Sequence, residues 1–217
     1  MRKDCSNCHL VNRPDAKTCV RCDHSLNGPP TSAPRRRTGR GIPARIAVCV
    51  TVCAGLVIAF YVSLVFSARP LSIDQKYQVR QAIRLLRDKG FGREAMLLDN
   101  FTVYRSDDNW LNASVAKETA YAATNFPFQI MTLYPDFFTY PVDDVERAAI
   151  LLHEAKHLEG WNEAEAYEFV WRSRQTLGWT RDGYAHSPVW QNVRIQTRNE
   201  APLLFICVQK DFGDCTA

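Results

Sequence analysis

Residues 153–157 read HEAKH and bring three side chains with hydrolytic potential into one short segment. Two histidines four positions apart lie on the same face of a helix, about one turn from each other. Imidazoles presented in this way can bind one Zn²⁺ ion, each at about 2.0–2.1 Å. Glu154 lies beside the first histidine and can accept a proton from an attacking water. The segment therefore predicts a hydrolytic metal centre built on His153, Glu154 and His157.

A catalytic zinc ion needs a third protein ligand and an open fourth position. Gly160 is expected to end the first helix, and Asn162 can cap a second helix immediately after it. This reversal brings Glu163 back toward the metal, six residues after His157. Glu163 is therefore the expected third ligand, and Glu165, on a different face of the second helix, is the alternative.

The full string HExxHxxGxxE resembles two groups of zincin metallopeptidases. The metzincin pattern has His as its last ligand and a later Met-turn, whereas no methionine follows residue 131 here. Gluzincins instead place a Glu ligand on a second, antiparallel helix, often followed by a small residue as in NEAEAYEF. The gluzincin resemblance is favoured. It implies an α+β domain with an active-site helix against a short sheet, zinc as cofactor, and a peptide or protein substrate.

The elements that must position these residues can be read from caps and periodicity. Asp143 or Asp144 is expected to cap the long helix that carries the histidines, and Ser72 to cap an earlier helix that ends near Gly90. β-prone segments at 101–105 and 129–134 predict strands. Because Pro135 should stop the second strand, we expect it at a sheet edge, where an extended substrate can add as a further strand.

The C-terminal region contributes two further pairs of candidates. Zincins often use a Tyr or His to stabilise the developing oxyanion, and the loop RDGYAHSPVW supplies Tyr184 and His186 as candidates for that role. Two ordinary loop residues without a catalytic role are the alternative. Cys207 and Cys215 are expected to form a small disulfide loop outside the cytoplasm, or to remain free thiols if the topology is reversed.

Residues 5–22 contain two CxxC motifs, and four thiolates can enclose one tetrahedral Zn²⁺ ion. The ligands are the four cysteines of these motifs: Cys5, Cys8, Cys19 and Cys22. Because so short a segment cannot bury a hydrophobic core, metal binding must supply its folding free energy. With RPDAKTC between the motifs, the segment resembles the N-terminal zinc ribbons of bacterial membrane proteins. CSNCH also matches the motif for covalent haem attachment. Haem attachment would require an exported Cys8 and would leave the second CxxC motif without a role.

Charge and hydropathy divide the chain around one apolar run. Residues 46–66 carry no charge and are long enough to cross a hydrocarbon core of about 30 Å. Residues 1–45 have ten basic and three acidic side chains, whereas residues 67–217 have a small acidic excess. The positive-inside rule predicts a cytoplasmic N-terminus and an extracytoplasmic C-terminal domain, in a bacterial plasma membrane. The expected order is a zinc ribbon at 1–26, a disordered basic linker at 27–45, a transmembrane helix at 46–66 and a zincin-like domain at 67–217.

These features predict a membrane-anchored zinc peptidase with Glu154 as general base, one catalytic zinc and one structural zinc. The alternative is a non-catalytic, membrane-anchored zinc-binding sensor or scaffold whose ribbon docks a cytoplasmic protein. Arginines of the linker can contact anionic lipid headgroups, with a role in topology alone as the alternative. Nucleic acid is not expected as a partner, because the ribbon lacks the interleaved aromatic residues that stack on bases.

Overall fold

The computed structural model describes residues 2–27, 41–114 and 120–206. The chain divides into two compact units, Met1–Cys53 and Ala54–Ala217. The predicted linker lies largely outside the described residues, as do Cys207 and Cys215 and therefore the expected disulfide.

The first unit contains a small hairpin of strands β1 (Lys3–Asp4) and β2 (Val11–Asn12), paired antiparallel. Each CxxC motif closes a tight turn, in which the amide that follows the second cysteine donates to the carbonyl of the first cysteine. His9 donates to Cys5 and Asp23 to Cys19, each at 2.9 Å. Both His9 and Asp23 have positive φ, near 57° and 53°, a conformation that costs a non-glycine residue free energy. The two turns thereby bring both pairs of thiols to one place.

Helix α1 (Ile42–Ser67) contains the predicted transmembrane segment and extends it at both ends. Among the described residues it is the one helix long and apolar enough to cross a membrane by length and composition. Along most of its length its side chains are exposed, and Leu64, near its C-terminal end, is fully buried.

The second unit is an α+β domain, the class that the sequence predicted. Its elements, in chain order, are α2 (Ile73–Asp88), α3 (Gly92–Asn100), β3 (Val103–Arg105), β4 (Ala122–Asn125), β5 (Ile130–Leu133), α4 (Pro135–Thr139), α5 (Asp144–Leu158), α6 (Glu163–Leu177), α7 (Arg181–Tyr184) and α8 (Pro188–Glu200), with short 3₁₀ turns at Asn112–Ser114 and Pro202–Phe205.

The three-stranded sheet has the order β3-β5-β4, with β5 parallel to β3 and antiparallel to β4. The expectation that β5 lies at the edge was therefore wrong. Pro135 follows the last paired residue and begins α4, where its missing N–H costs nothing. Strand β4 is the edge strand beside α5, and among the described residues β5 is its single neighbouring strand.

Helix α5 lies at the centre of the domain and packs against α2, α3, α6 and β4. Its interior face supplies Leu151, Leu152 and Ala155 to the core, all fully buried. Trp179, just beyond the end of α6, donates its indole N–H to Glu146 in the first turn of α5 at 3.3 Å. Helices α5 and α6 are connected at the C-terminal end of α5, and the end of α6 lies near the N-terminal end of α5. The two helices therefore run antiparallel.

Candidate metal centre and cleft

Both ends of α5 are fixed by local hydrogen bonds, which set where its histidines lie. The Asp143 carboxylate accepts from the amides of Val145 (2.9 Å) and Glu146 (3.2 Å), so that Asp143 is the N-cap. At the other end Gly160 has φ +85° and donates its amide to the His157 carbonyl at 2.9 Å. A β-carbon would strain this left-handed residue, so that the glycine makes the reversal inexpensive.

Helix α6 begins three residues after Gly160, with a capping box. Asn162 accepts from the Glu165 amide at 2.9 Å, and the Glu165 carboxylate accepts from the Asn162 amide at 3.1 Å. This reciprocal pair satisfies two amides that would otherwise lack partners at the helix start. Glu165 is therefore engaged in capping, while Glu163, the first residue of α6, is left to point at α5.

The three side chains predicted from the sequence as metal ligands, those of His153, His157 and Glu163, converge. His153 Nε2 lies 3.0 Å from His157 Nε2. The two Glu163 carboxylate oxygens lie 3.2 Å from His153 Nε2 and 3.3 Å from His157 Nε2. Ligands bound tetrahedrally at about 2.0–2.1 Å are separated by about 3.3 Å, so that the spacing suits a zinc-sized ion. The group could hold a metal ion.

Neighbouring groups orient the two imidazole rings. His157 Nδ1 lies 3.0 Å from the Trp161 carbonyl oxygen, which leaves Nε2 facing Glu163. Such a hydrogen bond on the far nitrogen is typical of metal-binding histidines. The His153 ring packs on Tyr167, with ring centroids 4.2 Å apart. The reversal after α5 thus supplies both a carboxylate for the centre and a carbonyl that orients a ring.

Electrostatics couples these three groups when no ion is bound. Partial burial, the largest single influence, lowers the pKa of His157, but the hydrogen bond to Glu163, the Glu154 charge and the hydrogen bond to the Trp161 carbonyl together outweigh burial and raise that pKa to about 9. The hydrogen bonds from His153 and His157 hold the pKa of Glu163 far below its usual range. Both shifts favour a protonated His157 paired with an ionised Glu163.

Glu154 lies beside the donor group and is nearly buried, with 5% of its surface exposed. Thr124 of β4 donates its hydroxyl to Glu154 Oε2 at 2.7 Å. This bond ties the edge strand to the helix and fixes the direction of the carboxylate. Thr124 was not predicted from the sequence, because a contact across 30 residues leaves no local pattern.

A cleft of about 510 Å³ opens over these groups. It is lined by β4, by His153, Glu154 and Glu163, and by Tyr134 and Tyr167. A second cavity of about 410 Å³ shares β4, Glu154 and Glu163 and continues past His157 to Phe126 and Trp161. The donor group of His153, His157 and Glu163 therefore lies where two cavities share the edge strand as a wall.

Tyr184 and His186 are not among the residues that line either cavity. Tyr184 donates its hydroxyl to Asp143 at 2.6 Å, at the N-terminal end of α5. Ten residues of helix, about 15 Å, separate Asp143 from His153. His186 is exposed in the turn between α7 and α8. The structure thus brings His153, His157, Glu163 and Glu154 together but leaves these two candidates elsewhere.

The thiols of Cys5, Cys8, Cys19 and Cys22 form a second group that could hold a metal ion. The sulfur atoms of Cys8 and Cys19 lie 3.5 Å apart, and those of Cys5 and Cys22 lie 3.6 Å apart. Tetrahedral sulfur ligands at about 2.3 Å are separated by about 3.8 Å, close to these values. Backbone amides near Arg21 donate to Cys19 and lower its pKa, which favours the thiolate that metals bind.

Comparisons with known proteins give no match to this chain, whether with protein-family models, with curated proteins or with solved structures.

Proposed function

We propose that this chain is a membrane-anchored zinc peptidase of the zincin type. The observation that carries the proposal is the convergence of His153, His157 and Glu163 at ligand spacing, with Glu154 directed into the same cleft. A purely structural metal site has no use for a carboxylate base beside it. The geometry of the donor group and the position of the base therefore support a hydrolase over a scaffold.

The proposed division of roles follows from what each side chain contacts. His153, His157 and Glu163 would hold Zn²⁺, which acidifies a water molecule and polarises a carbonyl when it is bound. Glu154 takes a proton from the attacking water and passes it to the leaving amine. Thr124, through its 2.7 Å bond, keeps the Glu154 carboxylate turned toward the cleft. Tyr167 and the Trp161 carbonyl hold the two histidine rings.

The edge strand suggests how a substrate is held. Within the described part of the chain, strand β4 pairs with β5 along one side only, and its residues line the cleft that contains Glu154. An extended polypeptide can add to such an edge through main-chain hydrogen bonds, largely independently of its sequence. Its scissile carbonyl would then pass over the metal-binding group. This arrangement favours a peptide or protein substrate.

The remaining parts of the proposal concern the membrane and the first unit. Helix α1 spans a bacterial plasma membrane once, with the basic N-terminal segment in the cytoplasm and the cleft outside. The four thiols hold a structural zinc ion, which supplies folding free energy to a segment too short for a core. The arginine excess before α1 supports this orientation.

Peptide hydrolysis by the full chain tests the proposed function. The chain is reconstituted in vesicles and given a degenerate pool of quenched fluorescent peptides. Cleavage should appear with zinc, vanish with a chelator and return when zinc is restored. A protein that binds zinc at the histidine group yet cleaves no member of the pool would support the sensor or scaffold reading instead.

A further inference from the structure

The contacts between helix α1 and the sheet show which end of the domain faces the start of α1. Arg105, the last residue of β3, donates its guanidinium N–H to the Val65 carbonyl at 2.9 Å. Phe60, five residues earlier in α1, packs on Phe128 in the β4–β5 turn, with ring centroids 5.4 Å apart. The helix therefore runs along the sheet, and moving back along it from Val65 to Phe60 leads to the β4–β5 turn.

The length of the apolar run places that turn at the membrane surface. Residues 46–60 alone would span about 22 Å, which is short of a hydrocarbon core of about 30 Å. Counted from its first residue, Ile42, the helix spans about 28 Å to Phe60 and approaches the thickness of the core. The level of Phe60, and with it the β4–β5 turn, then lies at the outer boundary of the bilayer.

The side chains at that level suit the interface. Phe126 at the β4–β5 turn is 60% exposed and Trp110 is 49% exposed. Trp110 packs edge-on against Phe60 at 5.6 Å and donates its indole N–H to Ser63 at 3.2 Å. Residues 120–135 contain no charged side chain. Exposed Trp and Phe rings are what membrane interfaces collect.

The metal-binding group lies close to this end of the domain. A β-carbon added to Gly160, at the end of α5, would lie 3.9 Å from the Phe126 ring. Phe126 also lines the second cavity together with His157 and Glu163. Thr124, which bonds Glu154, is two strand residues from Phe126, a distance of about 7 Å. The cleft thus opens within a few residues' reach of the proposed membrane surface.

We propose that the cleft acts on polypeptides anchored in the same membrane and cuts them in the segment next to the bilayer. This inference rests on the proposed peptidase function and adds the class of substrate to it. A soluble polypeptide would have to approach the cleft past the lipid, whereas a chain leaving the bilayer beside α1 meets β4 directly. An extended chain covers about 3.3 Å per residue, so that the distance of about 7 Å from Phe126 to Thr124 and the further reach to the donor group correspond to a few residues, about six at most.

Mapping of cleavage positions tests the inference. The full chain is reconstituted with zinc in vesicles of phosphatidylethanolamine and phosphatidylglycerol. The probe is a pool of polypeptides, each with one transmembrane helix followed by about 30 degenerate exposed residues. Mass spectrometry should place most cuts within about six residues of the helix end, as the reach of the cleft predicts. Cuts spread evenly along the segment would overturn the inference and leave the peptidase intact. No cut in any anchored polypeptide would also overturn the inference, and it would overturn the peptidase only if the soluble quenched peptides were left intact as well.

The depth of Trp110 relative to the bilayer provides a second test, which does not depend on activity. Lipids brominated near the headgroup quench tryptophans at the interface. Trp110→Phe should lower the quenched fraction of the emission. Trp190→Phe is the matched control and should raise that fraction, because Trp190 packs on Trp179 at the Glu146 end of α5, far from His157. An unchanged or raised quenched fraction in Trp110→Phe would contradict the proposed membrane level.

Discussion

Replacement of Glu163 by Gln should remove most of the stability that zinc gives to the domain. The Glu163 carboxylate is the one anionic member of the donor group and lies 3.2 and 3.3 Å from the two histidine nitrogens. Mutation of a residue that only hydrogen-bonds to a metal ligand typically costs about 10- to 100-fold in metal affinity. Loss of Glu163, which is itself a proposed ligand, should therefore cost about 100-fold or more. Glu165→Gln is the matched control, because Gln also completes a capping box.

The magnitude follows from binding linkage. At zinc 100-fold above the dissociation constant, binding adds about 2.7 kcal/mol to the free energy of unfolding, and a 100-fold weaker site adds about 0.4 kcal/mol. For a domain of this size, 1 kcal/mol corresponds to about 2–4 °C in Tm. The parent should therefore gain about 5–11 °C from zinc at the histidine group, and Glu163→Gln about 1–2 °C.

Thermal melts of the detergent-solubilised chain, with zinc and with chelator, measure this difference. The thiol group contributes equally to every variant, so that differences between variants report the histidine group. Glu165→Gln should show the parent's zinc-dependent increment. If Glu165→Gln lost the increment while Glu163→Gln kept it, the assignment of the third ligand would move by two residues.

Three further predictions concern topology, metal content and pH. A reporter that is active only outside the cytoplasm, fused after the C-terminus, should be active; a stable but inactive fusion would contradict the proposed orientation. Metal analysis should find about two zinc ions per parent chain and about one in Cys8→Ser, as one closed four-thiolate site requires; equal content would remove the metal role of the thiols. In the chelated protein, the raised pKa of His157, about 9 against 6.5, adds stability that is fully present below pH 6.5 and is lost as pH rises through 9. Chemical denaturation should show this fall in the free energy of unfolding for the parent, and a persistent fall in His157→Gln would assign it to another group.

Features set by neighbouring residues were predicted well from the sequence. Ser72 and Asn162 cap their helices with the capping boxes that the residue types indicate, and Gly160 reverses the chain with a positive φ. Such motifs depend on side chains that reach only three or four residues away, so that the sequence alone specifies them. The α+β class and the apolar helix follow from patterns of the same local kind.

Features set by contacts between distant segments were not predicted. Strand β4, with the sequence AATN, lacks the β-branched alternation that marks a strand, and its pairing with β5 supplies what its own residues do not. Buried Lys156 was missed too; it pairs with Glu94, 62 residues away, and lies 3.9 Å from the Phe169 ring centroid. Such contacts exist only once the tertiary fold has formed.

The most direct test of the central claim is Glu154→Gln, assayed for peptide hydrolysis and for zinc content together. The substitution keeps the size of the side chain and leaves His153, His157 and Glu163 in place. It should retain about two zinc ions, one in each of the two sites, and lose about 10²- to 10⁴-fold in turnover, the typical worth of a positioned proton-transfer group. Hydrolysis at the parent rate in a zinc-loaded Glu154→Gln chain would contradict the proposed mechanism.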